Sequence, residues 1–303
     1  MSVEASVVVP TYRRNELLRR CLNDPATESL VHEYDHAAPV RLRYVKAGPG
    51  HGAAAARNCG WRAARGRVIA FTDDDCLPEP TWLAHGVQAL VESGAAAATG
   101  RVSVPLPPRP TDYERDCAGL ATAEFVTANC FCTREALLRI GGLDERFTAA
   151  WREDSDLQFM LLGHGLRIVS APAAVVIHPV RPAPWGICLR QQWKAQFNVL
   201  LYKKHPTLYR EHIPPMPRSY AASGIALGAA GVGAAAGSAL LSLAAGGCWL
   251  ALAMLLCSRR LRGTSKAPSH VAEMAITSAA IPLLSLYWRA IGILRYRDVA
   301  PHS

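Results

Sequence analysis

The longest uncharged stretch of the chain, from Ser219 to Ser258, limits its possible folds more than any other feature. These 40 residues contain no Asp, Glu, Lys, Arg or His. One helix of that length would measure about 60 Å, against a hydrocarbon core of about 30 Å. No polar face is present to meet water, so we expect a hairpin of two packed membrane helices over 219–258. The alternative is a pair of buried core helices.

Glycines and basic residues around this stretch support the hairpin. Five small positions would let two helices approach closely: Gly224, Gly228, Gly231, Gly233 and Gly237. Four basic residues follow the stretch at once: Arg259, Arg260, Arg262 and Lys266. Positive charge marks the cytoplasmic side of a membrane span, so we expect this end in the cytoplasm.

A third apolar segment covers residues 271–288. It contains Glu273 and Pro282, and basic residues lie near both of its ends. Because the charge does not favour one side, the segment either spans the membrane, lies in its interface or re-enters it. We predict a C-terminal membrane region over 219–303.

Composition narrows the class of the protein. Half of the 303 residues are apolar and 19% are charged, below the usual value of about 25%. This excludes a disordered chain. The net charge is +9, of which +5 falls in residues 219–303, and a short apolar tail that is also basic indicates a membrane anchor rather than a nucleic-acid arm. Nine cysteines form no C-x-x-C pair, and the first residues lack signal-peptide features, so we expect a reducing cytoplasm.

Residues 1–218 show the pattern of an α/β domain. Short apolar runs predict strands over 5–9, 40–46, 67–72, 97–104, 125–133, 167–169 and 174–177. Helical spacing predicts helices over 15–22, 52–64, 81–92, 134–140 and 155–162. This alternation predicts a sheet that is covered on both faces. Cys130 and Cys132 alternate within a strand, so we expect both to be buried on one face.

Three adjacent carboxylates, Asp73, Asp74 and Asp75, follow the buried run 68–72. Adjacent carboxylates repel one another unless a cation lies among them. The end of a strand in an open α/β sheet is also where ligands bind. Carboxylate oxygens suit Mg²⁺ or Mn²⁺, which proteins often bind together with substrate phosphates. The alternative is a solvated acidic turn.

A second acidic group, Glu153 and Asp154, precedes an apolar helix. Ser155 and Asp156 beside it suit an N-cap with favourable dipole contacts. The two preceding carboxylates exceed what a cap needs. One of them could serve as general base toward an acceptor hydroxyl.

These motifs resemble family 2 glycosyltransferases, which have the Rossmann-like GT-A fold. The similarity is carried, in order, by VVVPTY at 7–12, AARN at 55–58, FTDDD at 71–75, GGLDERF at 141–147, EDSDL at 153–157 and VIH at 176–178. It covers about residues 4–212. We therefore expect a GT-A domain over 1–218, followed by the membrane region.

The resemblance implies an inverting transferase that uses a nucleotide-diphospho-sugar. Pro10, Thr11 and Tyr12 would line the nucleotide pocket, with Arg57 nearby. Asp73 would contact the ribose or the metal, Asp74 would lie among the substrate-binding residues, and Asp75 would hold the metal. These correspondences rest on the family motif.

The remaining catalytic roles also follow from the resemblance. Asp154 matches the usual catalytic base, with Glu153 as second choice. His178 matches a third metal ligand found in some GT-A enzymes, although a lone His is more often structural. Gln191, Gln192 and Trp193 match a signature of processive synthases without its Arg, which favours transfer of single sugars.

One family segment has no counterpart. The family usually has a strand ending in D-D-G-S, which reads the nucleobase, between the first helix and the next strand. Here residues 21–25 lead directly into a helix-like stretch, and Asp24 is the nearest candidate for the missing Asp. Either the strand is lost, leaving a gap in the sheet, or another segment replaces it.

Two hypotheses of function follow. The first is a hexosyltransferase in the cell inner membrane, with a cytoplasmic catalytic domain and a lipid-linked or envelope polysaccharide acceptor. Its partners would be the nucleotide sugar, that acceptor and membrane lipids, without nucleic acid. The second is a catalytically impaired, nucleotide-sugar-binding subunit of an envelope glycan complex. A transporter component is disfavoured because Glu273 is the one charged residue within the apolar segments, and a nucleotidyltransferase because Pro10–Arg14 contains no glycine.

Overall fold

A computed structural model describes residues 5–11, 43–46 and 52–302. The predicted helix over 15–22, Tyr12, and the segment around Asp24 lie outside the described residues. Of the strand predicted over 40–46, only residues 43–46 are described, and they form irregular chain. That part of the prediction is wrong, because alternation over so few residues is matched equally well by an extended loop.

The chain divides into two compact units. The first comprises Met1–Pro105 and Ala118–Val180, and the second comprises Leu106–Cys117 and Arg181–Ser303. The helices between residues 187 and 212, which we had assigned to the catalytic domain, group with the C-terminal helices. The predicted boundary at residue 218 follows the change in composition along the chain, whereas the division into these two units follows the contacts between residues.

The first unit is built on one sheet. Its strands are β1 (Ala5–Val8), β2 (Val68–Thr72), β3 (Leu77–Pro78), β4 (Ala97–Ser103), β5 (Asn129–Thr133) and β6 (Ile168–Ile177). The spatial order is β1-β2-β5-β4-β6-β3. Strands β1, β2, β4 and β6 run in one direction, and β5 and β3 pair antiparallel to their neighbours. The described strands form a continuous sheet without a gap, and β1 lies at one end of it.

Helices of the first unit cover the sheet. They are α1 (Ala53–Ala63), α2 (Trp82–Ser93), α4 (Arg134–Ile140) and α5 (Glu153–Gly163). One buried cluster contains Cys130 and Cys132, and a second contains Phe131 from between them. Successive strand residues point to opposite faces. The predicted α/β sheet with a core on each face is therefore confirmed, as is the shared face of the two cysteines.

Strand β6 differs from its prediction. We expected two short strands, whereas one strand runs from Ile168 to Ile177 with a bulge, because Gly100 of β4 pairs with Ala171 and the next residue, Arg101, pairs with Val175. The buried Asn129 amide supports the bulge by donating to the carbonyl oxygens of Arg101 and Ala174 at 2.9 Å. Strand β5 is also shorter than predicted, since residues 125–128 turn before it begins.

The second unit is helical. Its helices are α3 (Asp112–Cys117), α6 (Ile187–Arg190), α7 (Ala195–Lys204), α8 (Pro206–His212), α9 (Arg218–Ala235), α10 (Ala239–Leu261) and α11 (Pro268–Arg295). Helices α9 and α10 pack against each other as the predicted hairpin. Helices α10 and α11 are long and apolar enough to cross a membrane. Helix α9 has 18 residues and would span about 27 Å, slightly less than a hydrocarbon core.

The glycines of the hairpin differ in how closely other residues approach them. A Cβ at Gly233 would lie 2.8 Å from the Ser242 backbone nitrogen, so this glycine allows close helix contact. A Cβ at Gly224 would approach a Leu286 side chain at 2.9 Å. Gly228, Gly231 and Gly237 face open space within the described residues, and the expectation of close contact is wrong for these three.

Candidate active site

Several predicted site residues meet at one edge of the sheet. Strands β1 and β2 are parallel, with Val8 opposite Phe71, so Pro10 and Asp73 each follow two residues beyond a paired position. Thr11 continues from Pro10 along the same edge. Ligands bind at the carboxyl ends of strands in open α/β sheets, because the strand ends leave a crevice there.

Arg57 of helix α1 connects the two acidic motifs. Its guanidinium lies 2.5 Å from an Asp73 oxygen and 3.3 Å from an oxygen of Glu153. The arginine is 1% exposed, and Glu153 is 4% exposed. A buried cation between two carboxylates offsets their mutual repulsion. Arg57 therefore holds the turn after β2 and the start of helix α5 in one cluster.

Helix α5 begins two residues earlier than predicted. Glu153 is its first residue, and the preceding Arg152 adopts a left-handed conformation with φ of 73°. Left-handed backbone is uncommon for a residue with a Cβ, and residues held in uncommon conformations cluster at functional sites. Ser155 and Asp156 lie inside the first turn rather than at the cap.

The two carboxylates at the start of α5 differ in environment. Glu153 is buried against Arg57, and burial together with the neighbouring Asp154 raises its pKa to about 7. Asp154 is only partly buried and accepts a hydrogen bond from the Ser155 amide at 2.7 Å. Burial raises the pKa of Asp154 as well. Both groups therefore hold protons more readily than ordinary carboxylates.

The acidic turn after β2 extends toward His178. Strand β3 pairs with the end of β6, with Leu77 opposite Ile177. This pairing places residues 73–76 beside the loop that begins at His178. His178 Nε2 lies 3.6 Å from an Asp75 oxygen. The His178 amide donates to the Ser103 carbonyl, which fixes this residue beyond the end of the sheet.

Cys76 joins this group, and sequence reasoning assigned it no role. Potential ligand atoms of Asp75, Cys76 and His178 all lie within 4.8 Å of one another. Oxygen and nitrogen ligands suit many divalent ions, whereas a sulfur ligand suits softer ones. The only sequence signal was its position directly after the three carboxylates. Burial raises the pKa of the Cys76 thiol well above its usual range, so without a bound cation it stays protonated.

Asp74 is more deeply buried than its neighbour Asp73. It is 1% exposed, whereas the Asp73 side chain is 26% exposed. The structure thus brings Asp73, Asp75, Arg57, Glu153 and His178 to one edge, with Asp154 at the adjoining helix start. Tyr12 lies outside the described residues.

The sheet order, the acidic turn and the flanking helices define the class of the chain: an α/β GT-A domain accompanied by C-terminal helices. A solved structure with the same architecture is a mannosyltransferase, PcManGT, from Pyrobaculum calidifontis, in complex with GDP-Man and Mn²⁺. The likeness has a TM-score of 0.53 at 19% identity and covers 96% of this chain and 88% of that one.

Residues 23–135 match the family model of Glycosyl transferase family 2. The glycosyltransferase AglE of Haloferax volcanii is 23% identical over 219 residues, covering 62% of this chain and 70% of the relative. A validoxylamine A glucosyltransferase from Streptomyces hygroscopicus subsp. limoneus is 24% identical, covering 68% of this chain and 58% of the relative.

Proposed function

We propose that the protein is an inverting glycosyltransferase that moves one hexosyl unit from a nucleotide-diphospho-sugar to a hydroxyl of a lipid-linked or envelope glycan acceptor. The observation that carries the proposal is the buried Arg57, which joins Asp73 of the acidic turn to Glu153 of the second acidic group. The two acidic motifs, which we propose to bind the donor and to catalyse transfer, lie 80 residues apart in the chain and both contact this one side chain.

The donor end of the site would be formed by the strand ends. Pro10, Thr11 and Arg57 would contact the nucleotide, and Asp73 and Asp75 would hold Mg²⁺ or Mn²⁺, with His178 as a third ligand. The similar mannosyltransferase binds GDP-Man with Mn²⁺, which supports a donor and cation of this class. A bound divalent cation would neutralise charge on the leaving diphosphate.

Asp154 suits the role of general base better than Glu153. Glu153 is almost fully buried and engaged with Arg57, so it would position Arg57 and Asp73. Asp154 is more accessible, and its raised pKa favours proton uptake. Asp154 would take the proton of the acceptor hydroxyl as its oxygen attacks the anomeric carbon. The bond to the diphosphate breaks on the opposite face, which inverts the configuration.

A membrane location fits the second unit. Helix α10 is long and apolar, and only 6% of an apolar 18-residue stretch within it is buried inside the protein. A chain anchored by such helices would meet lipid-linked acceptors at the membrane surface. Arginines 259, 260 and 262, near the end of α10, favour a cytoplasmic location for that end.

Binding of nucleotides tests the donor site. The purified protein is titrated by calorimetry with UDP, GDP and dTDP, with and without Mn²⁺. We expect one nucleotide to bind in a metal-dependent way. Asp75→Asn keeps the side-chain shape but removes the charge that would hold the metal. This variant should therefore lose the metal-dependent binding of the nucleotide. The exposed Asp298 provides the matched control Asp298→Asn, which should bind as the wild type does.

The alternative proposal, a catalytically impaired subunit, is favoured by the absence of a D-D-G-S segment from the sequence. It predicts nucleotide binding without turnover of the donor. Absence of nucleotide binding in the wild type would contradict both proposals.

A further inference from the structure

The second unit contains a cavity of about 250 Å³ that the catalytic residues do not line. Its wall is formed by residues 111–114, by the segment 181–188 and by the facing ends of helices α10 and α11. At about 30 Å³ per water molecule, this volume equals roughly eight waters. It is the size of one sugar ring rather than of an oligosaccharide.

A buried ion pair lines part of the cavity. Arg260, 8% exposed, donates to Asp112 through Nε at 2.9 Å and approaches it through a second nitrogen at 2.8 Å. A further nitrogen donates to the hydroxyl groups of Thr277 and Ser278 at 2.7 and 3.1 Å. The guanidinium is thus already occupied, and it forms a fixed polar surface rather than an anion site.

His270 lines the cavity and carries a ring nitrogen that is unpartnered within the described part of the chain. The side chain is 6% exposed, and its Nδ1 lies 4.0 Å from a Glu273 oxygen. Its Nε2 is buried and has no hydrogen-bond partner among the described residues. Burial of an unsatisfied polar group is unfavourable, so a ligand that hydrogen-bonds this atom would recover part of that cost.

The charges of the lining favour a neutral ligand. Three carboxylates, Asp112, Glu114 and Glu273, outnumber two guanidinium groups, those of Arg181 and Arg260. These five groups give the lining one net negative charge, which disfavours a phosphate. Each carboxylate offers about four acceptor sites, and the Glu273 oxygen that accepts from the Gly186 amide uses only one of them. Acceptors in this number suit a ligand rich in hydroxyl groups.

Apolar side chains complete the wall. Met274 and Ile187 line the cavity beside the aromatic ring of Tyr113. Small-molecule sites typically combine apolar walls with a few convergent polar groups. A pyranose matches this mixture because it has hydroxyl groups around its edge and C–H groups on its faces.

We propose that this cavity binds one neutral hexose ring, a saccharide unit of the acceptor. The hydroxyl groups of the ring would contact His270 Nε2 and the carboxylates of Asp112 and Glu273. The inference rests on the proposed function only in naming the hexose as part of the acceptor. Binding of a free hexoside is a separate property of the second unit.

The test uses the full-length protein in a detergent without a sugar headgroup. Methyl α- and β-hexosides of glucose, mannose, galactose and N-acetylglucosamine are the probes, and saturation-transfer NMR measures their binding. We expect saturable millimolar binding of at least one hexoside. Met274→Trp should fill the cavity and abolish binding, and His270→Ala should weaken it about tenfold, equivalent to about 1.4 kcal/mol.

Two controls separate this inference from loss of folding and from the proposed function. Met254→Trp makes the same change at an exposed position of α10 and should bind the hexoside as the wild type does. Metal-dependent nucleotide binding is measured on every variant and should persist in Met274→Trp. Absence of saturable hexoside binding, unchanged binding in Met274→Trp, or preference for methyl phosphate would overturn the hexose assignment. Loss of nucleotide binding alone would instead contradict the proposed donor site.

Discussion

At the scale of single residues, Arg57 determines the geometry of the candidate site. It is nearly inaccessible and contacts one carboxylate from each acidic motif. The resemblance of the A-A-R-N motif to the family predicts a place for Arg57 near the nucleotide. It could not indicate the contact with Glu153, because that depends on how helix α5 begins, with Arg152 in a left-handed conformation.

Arg57→Ala should strongly destabilise the first unit. Removing one partner of a buried ionic cluster leaves uncompensated carboxylates and costs about 3–5 kcal/mol. Thermal unfolding should shift downward by on the order of 10 °C. The control is Arg62→Ala on the same helix, whose exposed pair with Glu145 at 3.6 Å should contribute less than about 1 kcal/mol. Equal shifts in the two variants would contradict the role of Arg57.

Glu153 should make stability depend on pH. Its pKa in the folded protein is about 7, above the ordinary value of 4.5. The folded state therefore binds the proton more tightly, and the contribution to stability is present below about pH 4.5 and is lost as the pH rises toward 7. Thermal midpoints of the wild type and Glu153→Gln, measured from pH 4.5 to 8, should diverge, with the variant relatively more stable at high pH. Parallel profiles would show that Glu153 does not titrate in this range.

At the scale of elements, the predictable features were those with a strong local pattern. Strand β2 and helices α1, α2 and α4 lie within one or two residues of their predicted bounds. Strand β6 was divided in the prediction because its bulge opposite Gly100 depends on a partner strand. The start of α5 was missed because no capping side chain marks it.

The α9–α10 hairpin should be sensitive to a larger side chain at Gly233 but not at Gly228. Gly233→Val would place a side chain against the Ser242 backbone, where overpacking costs about 1–3 kcal/mol. Gly228→Val, on the same helix, faces open space and serves as the matched control. Thermal unfolding in detergent should show a lower midpoint for Gly233→Val alone. A similar midpoint for the two variants would contradict this packing.

At the scale of the whole molecule, composition predicted both the α/β part and the apolar part of the chain. It could not predict that residues 106–117 would group with the C-terminal helices, because the ion pair between Asp112 and Arg260 joins segments about 150 residues apart. The cavity beside this pair could likewise not be predicted from the sequence, because its lining comes from segments far apart in the chain.

The full chain should behave as an integral membrane protein. Helices α10 and α11 have 23 and 28 residues, and about 20 apolar residues are enough to span a bilayer. After expression, the protein should stay with the membrane pellet in alkaline carbonate and be released by detergent. Release by carbonate alone would indicate that these helices do not span the membrane.

The central claim is that the edge of the sheet catalyses glycosyl transfer with Asp154 as the base. Its most direct test measures release of nucleoside diphosphate from a nucleotide sugar by the wild type and by Asp154→Asn, after calorimetry has identified the nucleotide. We predict that Asp154→Asn binds this nucleotide with wild-type affinity but turns over the donor about 10²–10⁴-fold more slowly. Wild-type turnover in Asp154→Asn, or a wild type that binds the nucleotide without turnover, would contradict the account.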